Sequence, residues 1–310
     1  MKVVSLFSGA GGFDLGFRQA GHEIIWANDL FIDAVNTYKC NLGHHIVCGD
    51  ISNIPVSDIP DSDIIIGGFP CQGFSVANTK RTEKDERNVL YREFVRIIQA
   101  KQPKFFVAEN VKGLLNLCKG KVFEMILADF EKAGYRVDKM VLNAADYGVP
   151  QKRERVIIVG IRNDIVFNYV YPKETHSQHT VKGRRPWVGV GKALEKIPDP
   201  DIPHNLKNHG YSKYKLRFNG YIGHRFIDPN APAPTVTARG DDKGGVVVLH
   251  HPNNARRMSC RELATVQGFP INYEFCGTRS SIYRQIANAV PPPLGKAVAK
   301  QFNKYKERNA

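Results

Sequence analysis

No stretch of this 310-residue chain is apolar for long enough to cross a membrane. The longest such runs, at 246–249 and 156–160, fall far short of the roughly 20 residues a spanning helix needs. The first seven residues read as a strand entering a glycine turn. They lack the longer apolar segment and the small-residue cleavage site of a signal peptide. Cysteine is scarce, with six residues and no CxxC pair, which argues against a disulfide framework or a zinc ribbon and predicts a reducing cytoplasm. Cys40, Cys48, Cys118, Cys260 and Cys276 are expected to be packed or free thiols. His176 and His179 form an HxxH pair without a nearby third ligand, so no metal is expected. Internal repeats are absent too.

Acidic residues run short in one half only. The net charge is +14, yet residues 1–150 carry 17 Lys and Arg against 18 Asp and Glu, while 151–310 carry 27 against 12. An excess confined to one half points to a polyanion, with nucleic acid the leading choice and the second half the contact surface. The length suffices for one sizeable core and a smaller second domain.

The first 160 residues alternate strand-like runs with helical periods. Strands are expected at 3–7, 23–27, 63–67, 104–108, 136–143 and 155–161. Helices are expected at 13–20, 31–41, 88–101 and 122–133. Leu90, Phe94, Ile97 and Ile98 recur at helical spacing. This βα order predicts an α/β fold: a Rossmann-like, doubly wound, mainly parallel sheet with helices on both faces. From 171 to 252 the chain is rich in Pro, Gly, His, Tyr and basic residues, and it reads as a loop-rich smaller domain. Helical order returns at 259–267 and 293–306.

Two glycine-flanked runs suggest chemistry. Gly67-Gly68-Phe69-Pro70-Cys71-Gln72-Gly73 follows a buried-looking strand and displays a thiol at its carboxyl end, where a nucleophile must be accessible. Leu6-Phe7-Ser8-Gly9-Ala10-Gly11-Gly12-Phe13 is a strand-to-helix turn whose backbone can approach a ligand, with a helix N-terminus suited to an anionic group. Asp29, after the second strand, suits ribose hydroxyls, and Asp50 could accept a hydrogen bond from an adenine amino group. The turn is not GxGxxG, which favours a one-nucleoside ligand over a dinucleotide. Glu109 ends an apolar strand and could be a general acid; a helix cap is the plainer reading. Arg153 and Arg155 share a strand face and could fix a carbonyl and a phosphate; solvated edge-strand arginines are the plainer reading.

With these residues in view, the chain resembles a bacterial-type DNA (cytosine-5) methyltransferase. The matching runs are 6–17, Asn28-Asp29, Gly49-Asp50-Ile51, 67–75, Glu109-Asn110-Val111-Lys112-Gly113, 151–160, 261–270 and 285–294. Their order and spacing are those of the family. The resemblance implies S-adenosylmethionine as methyl donor, without a metal, and a flipped-out cytosine in double-stranded DNA as acceptor. It implies Cys71 as the nucleophile that adds at C6, with Pro70 before it, Glu109 as the acid at the ring and Arg155 as a partner of the base. Arg153 accompanies Arg155. Phe7, Gly9, Gly11, Gly12, Asp29, Leu30, Asp50, Ile51, Leu90 and Asn288 match cofactor-contacting positions. Leu30 stands where many members carry an aromatic residue, and Asn88 and Ala287 stand where glycine is usual.

The resemblance divides the chain into a catalytic domain at 1–165 and 283–310 and a target-recognition domain with hinge at 166–282. Within the latter, Lys213, Lys215, Arg217, Arg225, Thr235 and Arg239 are the expected DNA contacts; Thr235-Val236 resembles the family's Thr-Leu dipeptide. The expected setting is the bacterial cytoplasm and nucleoid. The expected state is a monomer working beside a restriction endonuclease without a stable complex. An RNA-methylating relative is disfavoured because its Cys-Phe-Thr tripeptide is replaced by Cys276-Gly277-Thr278. A non-enzymatic DNA-binding relative is disfavoured by the intact Cys71, Glu109 and Arg155. A dehydrogenase fits the sheet but neither the Pro-Cys loop nor the basic second half.

Overall fold

The computed structural model describes residues 1–70, 89–213, 216–220, 224–238 and 248–308. Cys71, Asn88, Lys215 and Arg239 therefore lie outside the described residues. Seven strands form one sheet: β1 (Lys2–Leu6), β2 (Glu23–Asp29), β3 (Ile46–Cys48), β4 (Ile64–Gly67), β5 (Phe105–Val111), β6 (Tyr135–Asn143) and β7 (Glu154–Arg162), in the order β3-β2-β1-β4-β5-β7-β6. The first five pair in parallel; β7 runs antiparallel to both β5 and β6. The sheet is thus mainly parallel, with an antiparallel edge that alternation alone does not reveal. β3 also escaped the sequence reading, being three residues long with two of them exposed.

Side-chain alternation explains the two-sided core. Val3, Ile64, Phe105 and Val107 face one way, into a cluster closed by Phe13, Phe17, Leu294 and Val298. Val4, Ile65, Phe106 and Ala108 face the other way, onto Phe94, Ile97, Ile98 and Phe130. The first face is covered by α1 (Gly12–Gln19) and α8 (Pro292–Lys300), the second by α3 (Val89–Lys101) and α4 (Lys121–Lys132). α2 (Ile32–Asn41) contributes Val35 and Tyr38 to a third cluster. That cluster joins them to residues of α5 (Val190–Leu194), α6 (Cys260–Val266) and α7 (Arg279–Asn288). Hydrophobic packing therefore runs across the expected boundary between the two parts of the chain. α7 was not anticipated: its mean hydropathy is low, and only its Ile282, Tyr283, Gln285, Ile286 and Ala287 side is buried. The expected helix at 293–306 is two, α8 and α9 (Asn303–Arg308). Among the described residues no helix is long and apolar enough to cross a membrane.

The chain reverses direction across the sheet at β1. The route from β1 through α1 leads to β2 on one side, and β4 pairs on the other. The carboxyl ends of β1, β2, β4 and β5 converge there, the crevice where open α/β sheets bind ligands.

Candidate active site

The turn after β1 is built for close approach. Phe7 has φ 55°, a left-handed conformation that is unusual for a bulky side chain. Gly9 shares that conformation at φ 54°, and a Cβ built on it would meet nothing within 4 Å. That side of the turn faces open space. Gly12 differs, because its Cβ would run into the Val290 carbonyl; this glycine serves the packing of α1 on the start of α8. Gly11 is the N-cap of α1 and offers no side-chain cap, so the helix N-terminus presents backbone N–H groups.

Asp29 is the last residue of β2 rather than a loop residue. Its Oδ2 accepts from Gly9 N at 2.7 Å and its Oδ1 from Phe31 N at 2.9 Å, so one carboxylate ties the β1 turn to the β2 turn. Burial pushes its pKa upward, against those backbone hydrogen bonds. Leu30 beside it is 57% exposed, an apolar surface at the crevice. Asp50 caps a short turn at Ile51–Asn53, its Oδ1 accepting from Ser52 N at 2.9 Å and Ser52 Oγ at 2.8 Å. Ile51 is buried in the cluster against which Phe7 and Leu90 also pack. The fold thus gathers three cofactor candidates that are distant in sequence onto one apolar wall.

Beneath the turn lies Asp14, fully buried in the first turn of α1. Ser5 Oγ and Tyr38 Oη donate to it, each at 3.0 Å, and Tyr38 Oη also meets His45 Nε2 at 3.0 Å. Sequence reading missed this network, because an acid in a first helical turn looks like an ordinary dipole partner. Burial raises the Asp14 pKa from 3.8 to about 6, against the two side-chain hydrogen bonds. The folded state therefore binds the extra proton, and stability is lost as pH rises from about 4 through 6. Relative to Asp14→Asn, the wild type should lose roughly 3 kcal/mol between pH 4 and pH 7 and little more above that. Paired urea melts across that range measure the difference; a pH-independent gap would contradict it.

The other side of the crevice is formed by β4, β5 and β7. Glu109 lies within β5, not beyond it, and is only 8% exposed. Arg155 Nε sits 2.8 Å from Glu109 Oε1. Burial pulls the Arg155 pKa down and Glu109 opposes that pull. A Cβ on Gly68 would lie 3.1 Å from Glu109 Oε2, so the carboxylate rests against the β4 exit, three residues before Cys71. Asn110 Nδ2 donates to the Phe69 carbonyl at 2.9 Å, which fixes that exit to β5. Pro70 is exposed at its end.

Arg153 has turned away from phosphate. It is 1% exposed, and its guanidinium donates to three backbone carbonyls: Val236 at 3.0 Å, Ala287 at 2.7 Å and Ala289 at 3.1 Å. The last two flank Asn288, an exposed residue at the end of α7. A second route runs alongside. Gln151 Oε1 accepts from Val236 N at 2.9 Å, and Gln151 Nε2 meets Gln267 Oε1 at 2.5 Å. Gln267 Nε2 then donates to the Ala289 carbonyl at 2.6 Å. Both backbone groups of Val236 are thus satisfied by the 151–153 segment. Thr235 Oγ1 donates to the Lys152 carbonyl at 2.7 Å, a bond that anchors this stretch of chain at the surface. Sequence reading placed Arg153 beside Arg155; it had no signal for carbonyls more than eighty residues away.

Of the other expected DNA contacts, Lys213 is exposed but paired, with Nζ 3.1 Å from Asp201 Oδ1 and 2.7 Å from Tyr211 Oη. Arg217 and Arg225 are exposed. His176 is buried in a two-residue strand, and no group of three metal-ligating residues occurs among the described residues. Cys40, Cys48, Cys118, Cys260 and Cys276 form no disulfide, and the Cys40 and Cys276 sulfurs lie 3.6 Å apart.

A C-5 cytosine-specific DNA methylase model matches residues 1–304. The chain belongs to that family. It is a DNA (cytosine-5) methyltransferase with the fold of the methyl-transferring enzymes of its class. The curated relatives include Type II methyltransferase M.NgoFVII of Neisseria gonorrhoeae, 41% identical over 99% of this chain and 88% of its own length. Type II methyltransferase M.BspRI of Lysinibacillus sphaericus is 37% identical over 98% and 82%. Among solved structures, an E. coli prophage-encoded protein described as a DNA modification methyltransferase superposes with a TM-score of 0.76 at 26% identity, over all of both chains. The S. pombe Dnmt2 methyltransferase superposes at 0.71 with 19% identity over 98% and 99%, a likeness of fold.

Proposed function

We propose that this enzyme methylates one cytosine within a short specific duplex sequence, with S-adenosylmethionine as donor, and that it is the modification partner of a restriction endonuclease acting on the same site. The observation that carries the chemistry is the buried Glu109–Arg155 pair set against Gly68, three residues before Cys71 in sequence. In this reading Cys71 adds to C6 of the extruded cytosine while the Glu109 carboxyl holds the proton at N3. Arg155 orients Glu109 and the base. C5 becomes nucleophilic and takes the methyl group; loss of its proton and expulsion of the Cys71 thiolate restore the ring. The base must leave the stack for this, at a cost of about a few kcal/mol that pocket contacts offset.

The crevice fits S-adenosylmethionine. Open space at Gly9 and the uncapped α1 N-terminus suit its carboxylate, Asp29 suits its ribose, and Asp50 and Ile51 with Leu30 suit its adenine. Phe7, Gly11, Gly12, Leu90 and Asn288 complete the proposed wall. When bound, that cofactor supplies the methyl group as an electrophile on a sulfonium. Arg153 acts here as a positioning residue that fixes the carbonyls around Asn288. We assign 1–165 and 283–310 to catalysis and 166–282 to target recognition, with Lys213, Lys215, Arg217, Arg225, Thr235 and Arg239 as DNA contacts. The protein is read as a monomer in the bacterial cytoplasm.

Asp29→Ala and Asp50→Ala should each weaken cofactor binding by about 1–3 kcal/mol, the scale of a lost buried or charged hydrogen bond. DNA affinity without cofactor should stay the same. Calorimetric titration with S-adenosylhomocysteine checks this; unchanged affinity in both variants would place the cofactor elsewhere. Bisulfite sequencing of plasmid DNA from cells expressing the enzyme tests the wider reading. It should show full methylation at one cytosine of one short motif. Unmodified plasmid, or scattered methylation without a motif, would refute the proposal.

A further inference from the structure

Two exposed phenylalanines in the basic half are left unexplained by the fold or the reaction. Phe226 is 69% exposed and Phe218 is 42% exposed. Their rings are stacked, with centroids 4.3 Å apart and planes 17° from parallel. Phe218 also packs edge-on against His250 at 4.7 Å. His250 is fully buried, and burial together with the nearby Arg257 lowers its pKa to about 4, so the floor of this platform is uncharged at neutral pH. Ile227, next to Phe226, is buried in the cluster that also holds Ala233 and Val236. The platform is therefore anchored to the core while its outer face stays in water.

Scattered exposed apolar residues are normal, but a stacked pair held up by a buried ring is a built surface. The company it keeps selects the occupant. Arg217 precedes Phe218 and Arg225 precedes Phe226, and both arginines are exposed. Arg225 Nε donates to the Gly220 carbonyl at 2.9 Å, which ties its guanidinium to the chain two residues beyond Phe218. An aromatic face bracketed by cations is the arrangement that binds nucleic-acid bases: the rings stack and the cations meet phosphates. The half of the chain that holds it carries a net +15. From Phe226 to Thr235, which is anchored at Lys152, is nine residues, at most about 32 Å of extended chain. That distance lies within one DNA-binding footprint.

We propose that the Phe218–Phe226 pair is a nonionic contact to substrate DNA, with the Phe226 ring lying against a base whose stacking has been opened. The inference rests on the assignment of 166–282 to target recognition. It adds an aromatic contact to what were otherwise charged or hydroxyl-bearing candidates. The contact should add affinity without displacing counterions, because no phosphate is neutralised.

The test is equilibrium binding of the full-length enzyme, with S-adenosylhomocysteine present, to a duplex carrying the methylated motif, over a salt series. Phe226→Ala should weaken binding at least about tenfold at every salt concentration with an unchanged salt slope. Phe226→Trp should restore most of the affinity. Arg225→Ala should instead reduce the slope by about one. S-adenosylhomocysteine affinity and the thermal midpoint report folding, and both should match wild type in Phe226→Ala. Wild-type affinity in Phe226→Ala would overturn the proposal. So would a loss that Phe226→Trp does not rescue, or a change of oligomeric state with DNA binding intact, which would mark a protein interface. Failure of the wild type to bind the duplex would instead refute the wider reading of the domain.

Discussion

Cys71→Ser is expected to lose methyl transfer by on the order of a thousandfold or more while still folding and binding cofactor. A serine hydroxyl is a far weaker acid than a thiol and is scarcely ionised at neutral pH, so the addition at C6 that activates C5 fails. The effect should fall on the chemical step, because the cofactor candidates Asp29, Asp50 and Leu90 belong to other elements of the crevice. Single-turnover transfer of a labelled methyl group measures it, with calorimetry on S-adenosylhomocysteine as the control. A serine variant with near wild-type turnover would remove Cys71 from the mechanism.

Glu109 should give the second large effect, and two substitutions separate its two roles. Both carboxylate and guanidinium are about 10% exposed, so neither is well solvated. Glu109→Ala leaves the Arg155 charge buried without its partner, and a cost of about 3–5 kcal/mol in stability is expected. Glu109→Gln keeps the shape and an acceptor for Arg155 but cannot hold the proton at N3. Its stability loss should be smaller, while the methyl-transfer rate falls by about 10² to 10⁴. Chemical denaturation and single-turnover assays on the two variants distinguish these outcomes. A glutamine variant that is stable and fully active would show that the pair is structural.

Much of this was legible in the residues, and the boundary is a physical one. The alternation of apolar runs and helical periods locates β1, β2, β4 and β5 and the helices α1 to α4 to within a few residues, because each buries a periodic face. It misses β3, which exposes two of three residues, and α7, whose short apolar side is interrupted by Gln285 and whose other residues are mostly polar. The antiparallel entry of β7 depends on which strand a run pairs with, and local pattern carries no such information. Asp29 and Glu109 were visible as acids near strand ends; that they end or lie inside their strands required the ladder itself. Arg153 shows the limit most plainly. Alternation correctly puts it on the same strand face as Arg155, yet its guanidinium serves Val236, Ala287 and Ala289. Lys213 reads as an unpaired cation in the sequence, and its partners Asp201 and Tyr211 appear only in the fold. A charge is legible in one dimension; its partner is not.

Covalent addition of Cys71 to cytosine C6, which activates C5 for methylation, can be trapped directly. A duplex carrying the methylated motif with 5-fluorocytosine at the target position is incubated with enzyme and S-adenosylmethionine, and the products are resolved under denaturing conditions. Fluorine cannot leave C5 as a proton does, so the adduct should persist. The expected product is a stable one-to-one enzyme–DNA species that depends on the cofactor, is absent with Cys71→Ser, and whose cross-linked peptide contains Cys71. Normal turnover without an adduct, or an adduct on any other residue, would contradict it.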